Sequence, residues 1–171
     1  MEMTDPQIGM ASFQEALENG IVSVSPVRNH HDLYKYIDRP SPNIIRLTYA
    51  HLAADQKRIR SYLVCVLNGF IKGQPCVSVG YAVPERLRNK GYAKEILAEV
   101  IQDQIFEARR NRIPEVYIEA MIDITNIASQ RVAQSILTGS VEHLTDKHSG
   151  RPAIRYTSRF DTATGKQIPI E

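Results

Sequence analysis

Residues 76–110 read CVSVGYAVPERLRNKGYAKEILAEVIQDQIFEARR, and this segment sets the expected fold class. Residues 76–83 are mostly apolar and partly β-branched, which predicts a strand that ends at Pro84. From 92 to 110, apolar residues recur at intervals of three and four, which predicts an amphipathic helix. A second strand is predicted over 115–122. A strand, a helix and a strand in succession predict a parallel strand pair joined by a crossover.

The segments on either side predict further helices and antiparallel strands. Downstream, the patterns predict a helix over 126–137 and a hairpin of strands 141–144 and 153–160. Upstream, they predict a helix over 10–18, a strand over 21–27, helical turns over 31–37, a helix over 47–58 and a strand over 61–67. The alternative to the helix over 47–58 is a strand that begins at Ile44. The class is therefore α/β (α+β) with a mixed sheet.

Length and composition are those of one globular domain. The 171 residues suit a single domain over 1–171, and 43% hydrophobic with 23% charged residues exclude a disordered tail or a collagen-like chain. The longest apolar run, Tyr62–Leu67, is far shorter than the roughly 20 residues that cross a bilayer. The segment Met1–Asp5 is polar and acidic, unlike a secretory signal. We therefore expect a cytoplasmic protein that does not bind membranes.

Charge, cysteine and histidine content predict few special sites. The formal net charge is +2, which gives no reason to expect nucleic-acid binding by the whole surface. Cys65 and Cys76 lie in strand-like apolar stretches and are predicted to be buried free thiols. No histidine is paired with a cysteine or carboxylate at a spacing typical of zinc ligands, so no metal site is expected.

The junction between the strand 76–83 and the helix 92–110 predicts an anion site. Arg86, Arg88 and Lys90 precede the helix, whose first amides have no acceptor within it and carry the positive end of its dipole. The junction contains neither the Gly-Lys-Ser/Thr of a phosphate-binding P-loop nor the three-glycine dinucleotide pattern. The alternative is a basic, solvated helix end without a ligand.

Two stretches of the sequence resemble the GNAT N-acetyltransferase superfamily. Residues 88–93, RNKGYA, match that family's Arg/Gln-x-x-Gly-x-Gly/Ala motif, and 79–85 are similar to the strand before it. Residues 118–133 resemble the family's fifth strand and following helix. Their Asn126-x-x-Ser129 pattern is similar to the branch of ribosomal-protein N-terminal acetyltransferases. The resemblance covers about residues 76–160.

This resemblance implies both a fold and a cofactor. The fold would be a mixed, mostly antiparallel sheet with a central, splayed parallel strand pair, flanked by helices. The cofactor would be acetyl-CoA, whose pyrophosphate the loop amides bind in the family and whose pantetheine arm pairs with the strand edge. The residues assigned to it in this way are Tyr81, Val83, Arg88, Asn89, Lys90, Gly91, Tyr92, Ala93, Asn126 and Ser129.

The implied reaction is direct attack of a primary amine on the thioester, which requires a base, polarisation of the carbonyl and stabilisation of the leaving thiolate. Glu119 is the candidate for handling the amine proton; alternatively, it points to solvent or pairs with an arginine. Ser129 is the candidate near the coenzyme sulfur; alternatively, it only bonds backbone at a helix start. Thr125-Asn126 is also a helix-capping signature.

The sequence departs from the family at two functional positions. The tyrosine acid that many members place after the fifth strand corresponds to Ala133, and Tyr156 or Tyr117 would have to replace it. The usual Gly-Phe after that helix is Gly139-Ser140.

Three functional interpretations follow. The first is an acetyl-CoA-dependent N-acetyltransferase with a small-molecule or protein amine as acceptor. The second is a GNAT-fold module that binds acyl-CoA or a partner without turnover. The third is a tRNA-directed acetylating toxin, for which the cations around Arg86 would bind RNA. Nucleic acid is not the expected partner, homodimers are common in the family, and the identity of the acceptor does not follow from the sequence.

Overall fold

The computed structural model describes residues 5–171; Met1–Thr4, part of the polar segment used above, lie outside the described residues. Its helices are α1 (Pro6–Glu18), α2 (Tyr92–Arg110) and α3 (Ile127–Ile136). Its strands are β1 (Ser25–Pro26), β2 (Leu33–Ser41), β3 (Ile44–Leu52), β4 (Ile59–Ile71), β5 (Gln74–Ala82), β6 (Glu115–Asp123), β7 (Ser140–Thr145), β8 (Pro152–Asp161) and β9 (Gln167–Ile168).

The chain forms two compact units. Among the described residues, the N-terminal unit comprises 5–66 together with Gly80–Val100, and the C-terminal unit comprises Leu67–Val79 together with Ile101–Glu171. The chain passes from one unit to the other within β4, within β5 and within α2. The interpretation of the whole chain as one domain stays a prediction.

The N-terminal unit is an antiparallel meander covered by α1. Strands β1 to β4 pair in chain order, each antiparallel to the next. Helix α1 starts where the Asp5 carboxylate accepts a hydrogen bond from the Gln7 amide at 2.9 Å, with Pro6 in the first turn. Residues three and four apart then face the core, because they share one side of a helix. That core comprises Met10, Phe13, Leu17, Ala50, Leu52, Ile59, Tyr62 and Ala82.

The C-terminal unit contains the parallel strand pair. Strand β5 pairs in parallel with β6, from Cys76 opposite Tyr117 to Val79 opposite Ala120. Strand β8 pairs antiparallel with β6, β7 and β9. The predicted class is confirmed: a mixed, mostly antiparallel sheet with one parallel pair, and helices. Within residues 5–171, no helix combines the length and apolar character that crossing a membrane requires.

The N-terminal third differs from the sequence prediction. The helix predicted over 47–58 is wrong, because β3 occupies 44–52, the alternative that started at Ile44. The helical turns predicted over 31–37 are wrong as well, since this segment begins β2. Of the strand predicted over 21–27, only Ser25–Pro26 forms one. The two segments misassigned as helical have apolar patterns short enough to fit both periods, and their pairing with neighbouring strands decided the outcome.

Gly139, between α3 and β7, lies against the backbone of β8. A Cβ on this residue would be 2.4 Å from the carbonyl oxygen of Thr157 and 3.1 Å from the Cα of Ser158. The chain can therefore pass this close only without a side chain.

Candidate functional site

The loop after β5 and the first two residues of α2, all in the N-terminal unit, hold six of the predicted coenzyme-binding residues, Arg88 to Ala93, in one continuous segment. A short 3₁₀ turn, Glu85–Leu87, follows Pro84 and precedes them. The guanidinium Nε of Arg88 donates back to the carbonyl oxygen of Val83 at 3.4 Å, which bridges the two ends of this turn. Tyr81 and Val83, the predicted strand edge, are themselves buried.

Two residues of the loop have left-handed backbone conformations. Asn89 has φ 62° and Gly91 has φ 80°. Asparagine and glycine adopt this region at the lowest cost, so the sequence is suited to this turn. A Cβ on Gly91 would meet nothing within 4 Å, so the space beside this residue is open.

Helix α2 begins directly after the loop. Its first i to i+4 hydrogen bond runs from the Glu95 amide to the Gly91 carbonyl at 3.0 Å. The amides of Tyr92, Ala93 and Lys94 precede this bond and have no acceptor within the helix. The guanidinium of Arg60, on β4, lies 5.0 Å from the centre of the Tyr92 ring and holds this first residue by a cation–π contact.

The loop and the first turn of α2 combine exposed positive charge with these amides. The cationic side chains at the loop are all exposed: Arg86, Arg88, Lys90 and Lys94. Together with the positive end of the helix dipole, they favour an anion at this surface. Pyrophosphate and phosphate groups have the charge and the oxygen acceptors that such a surface binds.

Glu119, the proposed base, is buried in the C-terminal unit with two hydrogen-bond donors. Its Oε1 accepts from the Ser78 hydroxyl at 2.5 Å and from the Asn68 amide nitrogen at 2.7 Å. Ser78 is its partner across the parallel pair. The alternative in which Glu119 points to solvent is wrong, since this residue is 7% exposed. Sequence reasoning missed Ser78 and Asn68, because only the pairing of strands brings them to Glu119.

Cys76 lies beside this carboxylate. Burial, together with the negative charge of Glu119 and a hydrogen bond to it, raises the pKa of the Cys76 thiol to about 12. This thiol is therefore protonated at neutral pH and unsuited to act as a nucleophile. Cys65 and Cys76 are both buried and neither forms a disulfide, as predicted.

Asn126 and Ser129 meet at the start of α3. Asn126 is the N-cap residue, and its Oδ1 accepts from the Ser129 amide at 3.1 Å. The capping signature is thus confirmed, and roles for Asn126 and Ser129 in coenzyme binding stay predictions. The cap alone explains the residue type at 126.

The tyrosines considered as replacements for the missing acid are enclosed in the core. Tyr156 and Tyr117 are 0% and 1% exposed. The Tyr156 hydroxyl accepts from Nε2 of Gln134, on α3, at 3.3 Å. Ala133, where the family pattern places its tyrosine, is also fully buried. Neither tyrosine is open to a substrate in this conformation.

Comparisons with known proteins give matches among solved structures. No family model matches the chain. No curated protein matches it either. Among solved structures, the chain is similar to a protein of Vibrio cholerae described as a ribosomal-protein-serine acetyltransferase, with 20% identity and a TM-score of 0.47. That match covers 66% of this chain and 63% of the other, so the chain spans less than two thirds of that protein's length.

Two further solved structures are similar at the same level. An acetyltransferase of Bacillus subtilis in complex with CoA has 18% identity and a TM-score of 0.46, over 66% of this chain and 75% of the other. The ribosomal-protein-S5-alanine acetyltransferase of Vibrio fischeri has 16% identity and a TM-score of 0.47, over 72% of this chain and 64% of the other.

Proposed function

We propose that this protein is an acetyl-CoA-dependent N-acetyltransferase that transfers the acetyl group to a primary amine. The observation that carries the proposal is the loop from Arg88 to Ala93. This segment matches the family's motif and contains a left-handed glycine, Gly91, with open space beside it. It also presents the first amides of a 19-residue helix, which have no acceptor within that helix, and exposed cations. These features fit a pyrophosphate.

The coenzyme would be held by residues of this loop and strand. The amides from Asn89 to Ala93 donate to the pyrophosphate, and Arg86, Arg88 or Lys94 neutralise the 3′-phosphate. The backbone from Tyr81 to Val83 provides donors and acceptors for the amides of the pantetheine arm. When bound, acetyl-CoA supplies an activated acyl group with a thiolate as the leaving group.

Glu119 and Ser129 are the residues proposed to act in the reaction. The Glu119 carboxylate takes a proton from the substrate ammonium, directly or through a water molecule, and the neutral amine can then attack. This step is needed because an amine with a pKa of about 10.4 is protonated at neutral pH. Asn68 and Ser78 hold that carboxylate in position by their hydrogen bonds to Oε1. The Ser129 hydroxyl would donate a hydrogen bond to the sulfur of the departing thiolate.

A Gly91→Val variant tests the coenzyme site. Valine at φ 80° is strained, and its side chain fills the open space that the pyrophosphate needs. In the wild type, acetyl-CoA at about 100 times its dissociation constant should raise the melting temperature by roughly 5–10 °C. In Gly91→Val, this shift should disappear.

The matched control is Gly20→Val. Gly20 has φ 66°, a Cβ there would also meet nothing within 4 Å, and the residue follows α1, apart from the loop in sequence. This variant should lose a similar amount of stability and keep the full shift. An unchanged shift in folded Gly91→Val would refute the assignment of the loop. Acetyl transfer to a panel of amines can be measured by mass spectrometry. If acetyl-CoA raises the melting temperature in full but no amine is acetylated, the non-catalytic interpretation is favoured.

A further inference from the structure

A histidine and two glutamates converge in the N-terminal unit, in a cluster that the proposed function does not use. His51 is the eighth residue of β3, and Glu95 and Glu99 are on α2. One ligand atom from each of the three side chains lies within 4.8 Å of the other two. Nε2 of His51 is 2.6 Å from Oε2 of Glu99. We call these three residues the His51 cluster.

The local structure explains why these side chains meet. Glu95 and Glu99 are four residues apart on α2 and therefore lie on one face of that helix. His51 is held on both sides, opposite Leu33 on β2 and Ser61 on β4. His51 is buried, Glu99 is partly buried and Glu95 is exposed, so the cluster opens to solvent at Glu95.

A second imidazole lies beside the cluster. Nδ1 of His30, in the turn between β1 and β2, is 4.0 Å from Oε2 of Glu99, and its side chain is 11% exposed. The Glu99 carboxylate therefore faces two histidines from two different segments. Two imidazoles and two carboxylates are a donor set that recurs in zinc sites.

We propose that the His51 cluster binds a divalent transition-metal ion, with Zn²⁺ as the preferred ion. Imidazole nitrogen favours Zn²⁺ over Mg²⁺ and Ca²⁺, which prefer oxygen ligands alone. Tetrahedral Zn²⁺ with bonds of about 2.0–2.2 Å needs ligand atoms roughly 3.3 Å apart. Binding would therefore lengthen the 2.6 Å separation between Nε2 of His51 and Oε2 of Glu99, by rotation of the glutamate side chain. The two carboxylates balance the charge of the ion.

Binding requires one rearrangement of a proton. The Nε2 atom of His51 must offer its lone pair to the ion, so the proton it shares with Glu99 leaves that atom. The neutral ring then carries its proton on Nδ1 instead. The ion replaces the hydrogen bond and links β3 to the first two turns of α2, directly after the loop that contains Gly91.

The test is calorimetric titration of Zn²⁺ into the full chain, freed of bound metal by a chelator and of any histidine tag. We expect one ion per chain in the wild type. Glu95→Gln should weaken binding by about tenfold or more, and Glu99→Gln should weaken it further. Glu95 is exposed, so this variant should fold even if changes at His51 or Glu99 do not. Co²⁺ should give the intense visible absorption of a tetrahedral site.

Two variants serve as matched controls. Glu15→Gln removes an exposed carboxylate from α1, and His31→Ala removes a histidine whose side chain is 95% exposed. Both should bind Zn²⁺ as the wild type does. Failure of the wild type to bind Zn²⁺, or unchanged affinity in Glu95→Gln and Glu99→Gln, would overturn the proposal. Acetyl-CoA binding is measured separately, so neither result depends on the proposed function.

Discussion

At the scale of single residues, Glu119 combines burial with hydrogen bonds from neutral donors. A buried carboxylate is costly unless it is hydrogen-bonded, and here Ser78 and Asn68 both donate to the same oxygen. The Cys76 thiol is hydrogen-bonded to this carboxylate as well. The arrangement suits a base that is held in one position, which is the role we propose for it.

Glu119→Gln separates this role from a structural one. Glutamine keeps the shape and can still accept from Ser78 and Asn68, so stability should change by about 1 kcal/mol or less. Without a carboxylate to take the proton, acetyl transfer should fall by roughly 10²–10⁴-fold. The measurements are denaturant unfolding and the rate of amine acetylation.

The comparison variant is Glu107→Gln, on α2, whose side chain is 36% exposed. It also loses one carboxylate and should retain both stability and rate. If Glu119→Gln acetylates amines as fast as the wild type, Glu119 is a structural residue only.

At the scale of elements, the packing of the segment after α3 against β8 depends on Gly139. A Gly139→Ala substitution would place a methyl group 2.4 Å from the Thr157 carbonyl oxygen, which is backbone and cannot rotate away. Forced overpacking of this kind should lower the free energy of unfolding by about 1–3 kcal/mol, measured by urea denaturation.

A suitable control for this substitution is Gly150→Ala in the turn between β7 and β8. Gly150 has φ 70° and nothing within 4 Å of a Cβ, so only backbone strain applies there. This substitution should lower the free energy of unfolding by about 1 kcal/mol. A Gly139→Ala protein as stable as the wild type would mean that β8 can shift without cost.

The elements differ in how well the sequence predicted them, for physical reasons. Helix α2 begins and ends where its pattern predicts, because a long amphipathic stretch fits only one period. Strand β3 was misassigned, since Ala50, Ala53 and Ala54 suit a helix while its pairing with β2 and β4 is not local.

The residues of the candidate site also differ in how well the sequence predicted them. The loop from Arg88 to Ala93 is continuous in sequence and could be recognised from its motif. The partners of Glu119 and the His51 cluster are assembled by strand pairing and helix packing between distant segments, so no local spacing reveals them.

At the scale of the whole molecule, hydrogen bonds lower the pKa values of several aspartates in loops. The backbone amides of Lys57 and Arg58, followed by the Arg58 side chain, lower the pKa of Asp55 from 3.8 to about 2. Hydrogen bonds from Ser149 and Thr164 similarly lower the pKa values of Asp146 and Asp161. Each lowered pKa stabilises the folded state. This contribution is fully present at a pH above the ordinary aspartate pKa of the unfolded chain.

We therefore expect an acid-sensitive fold. As the pH falls from about 4 to about 2, the unfolded chain binds protons that folded Asp55 resists, so the free energy of unfolding should decrease. Asp55→Asn should show a smaller decrease across this window, and the two proteins should change in parallel between pH 7 and 5. Denaturant titrations at each pH measure this, and equal slopes below pH 4 would contradict it.

The three points within residues 5–171 at which the chain passes from one unit to the other have a consequence for synthesis. During translation, Leu67–Val79 leave the ribosome before Gly80–Val100, although the latter complete the N-terminal unit. Leu67–Val79 can complete the C-terminal unit only after Ile101–Glu171 have been synthesised, which takes on the order of ten seconds at typical translation rates. Until β6 has been synthesised, the edge of Cys76–Val79 that pairs with it is therefore unpaired in the nascent chain. No single cleavage of the polypeptide yields two fragments that each contain one complete unit.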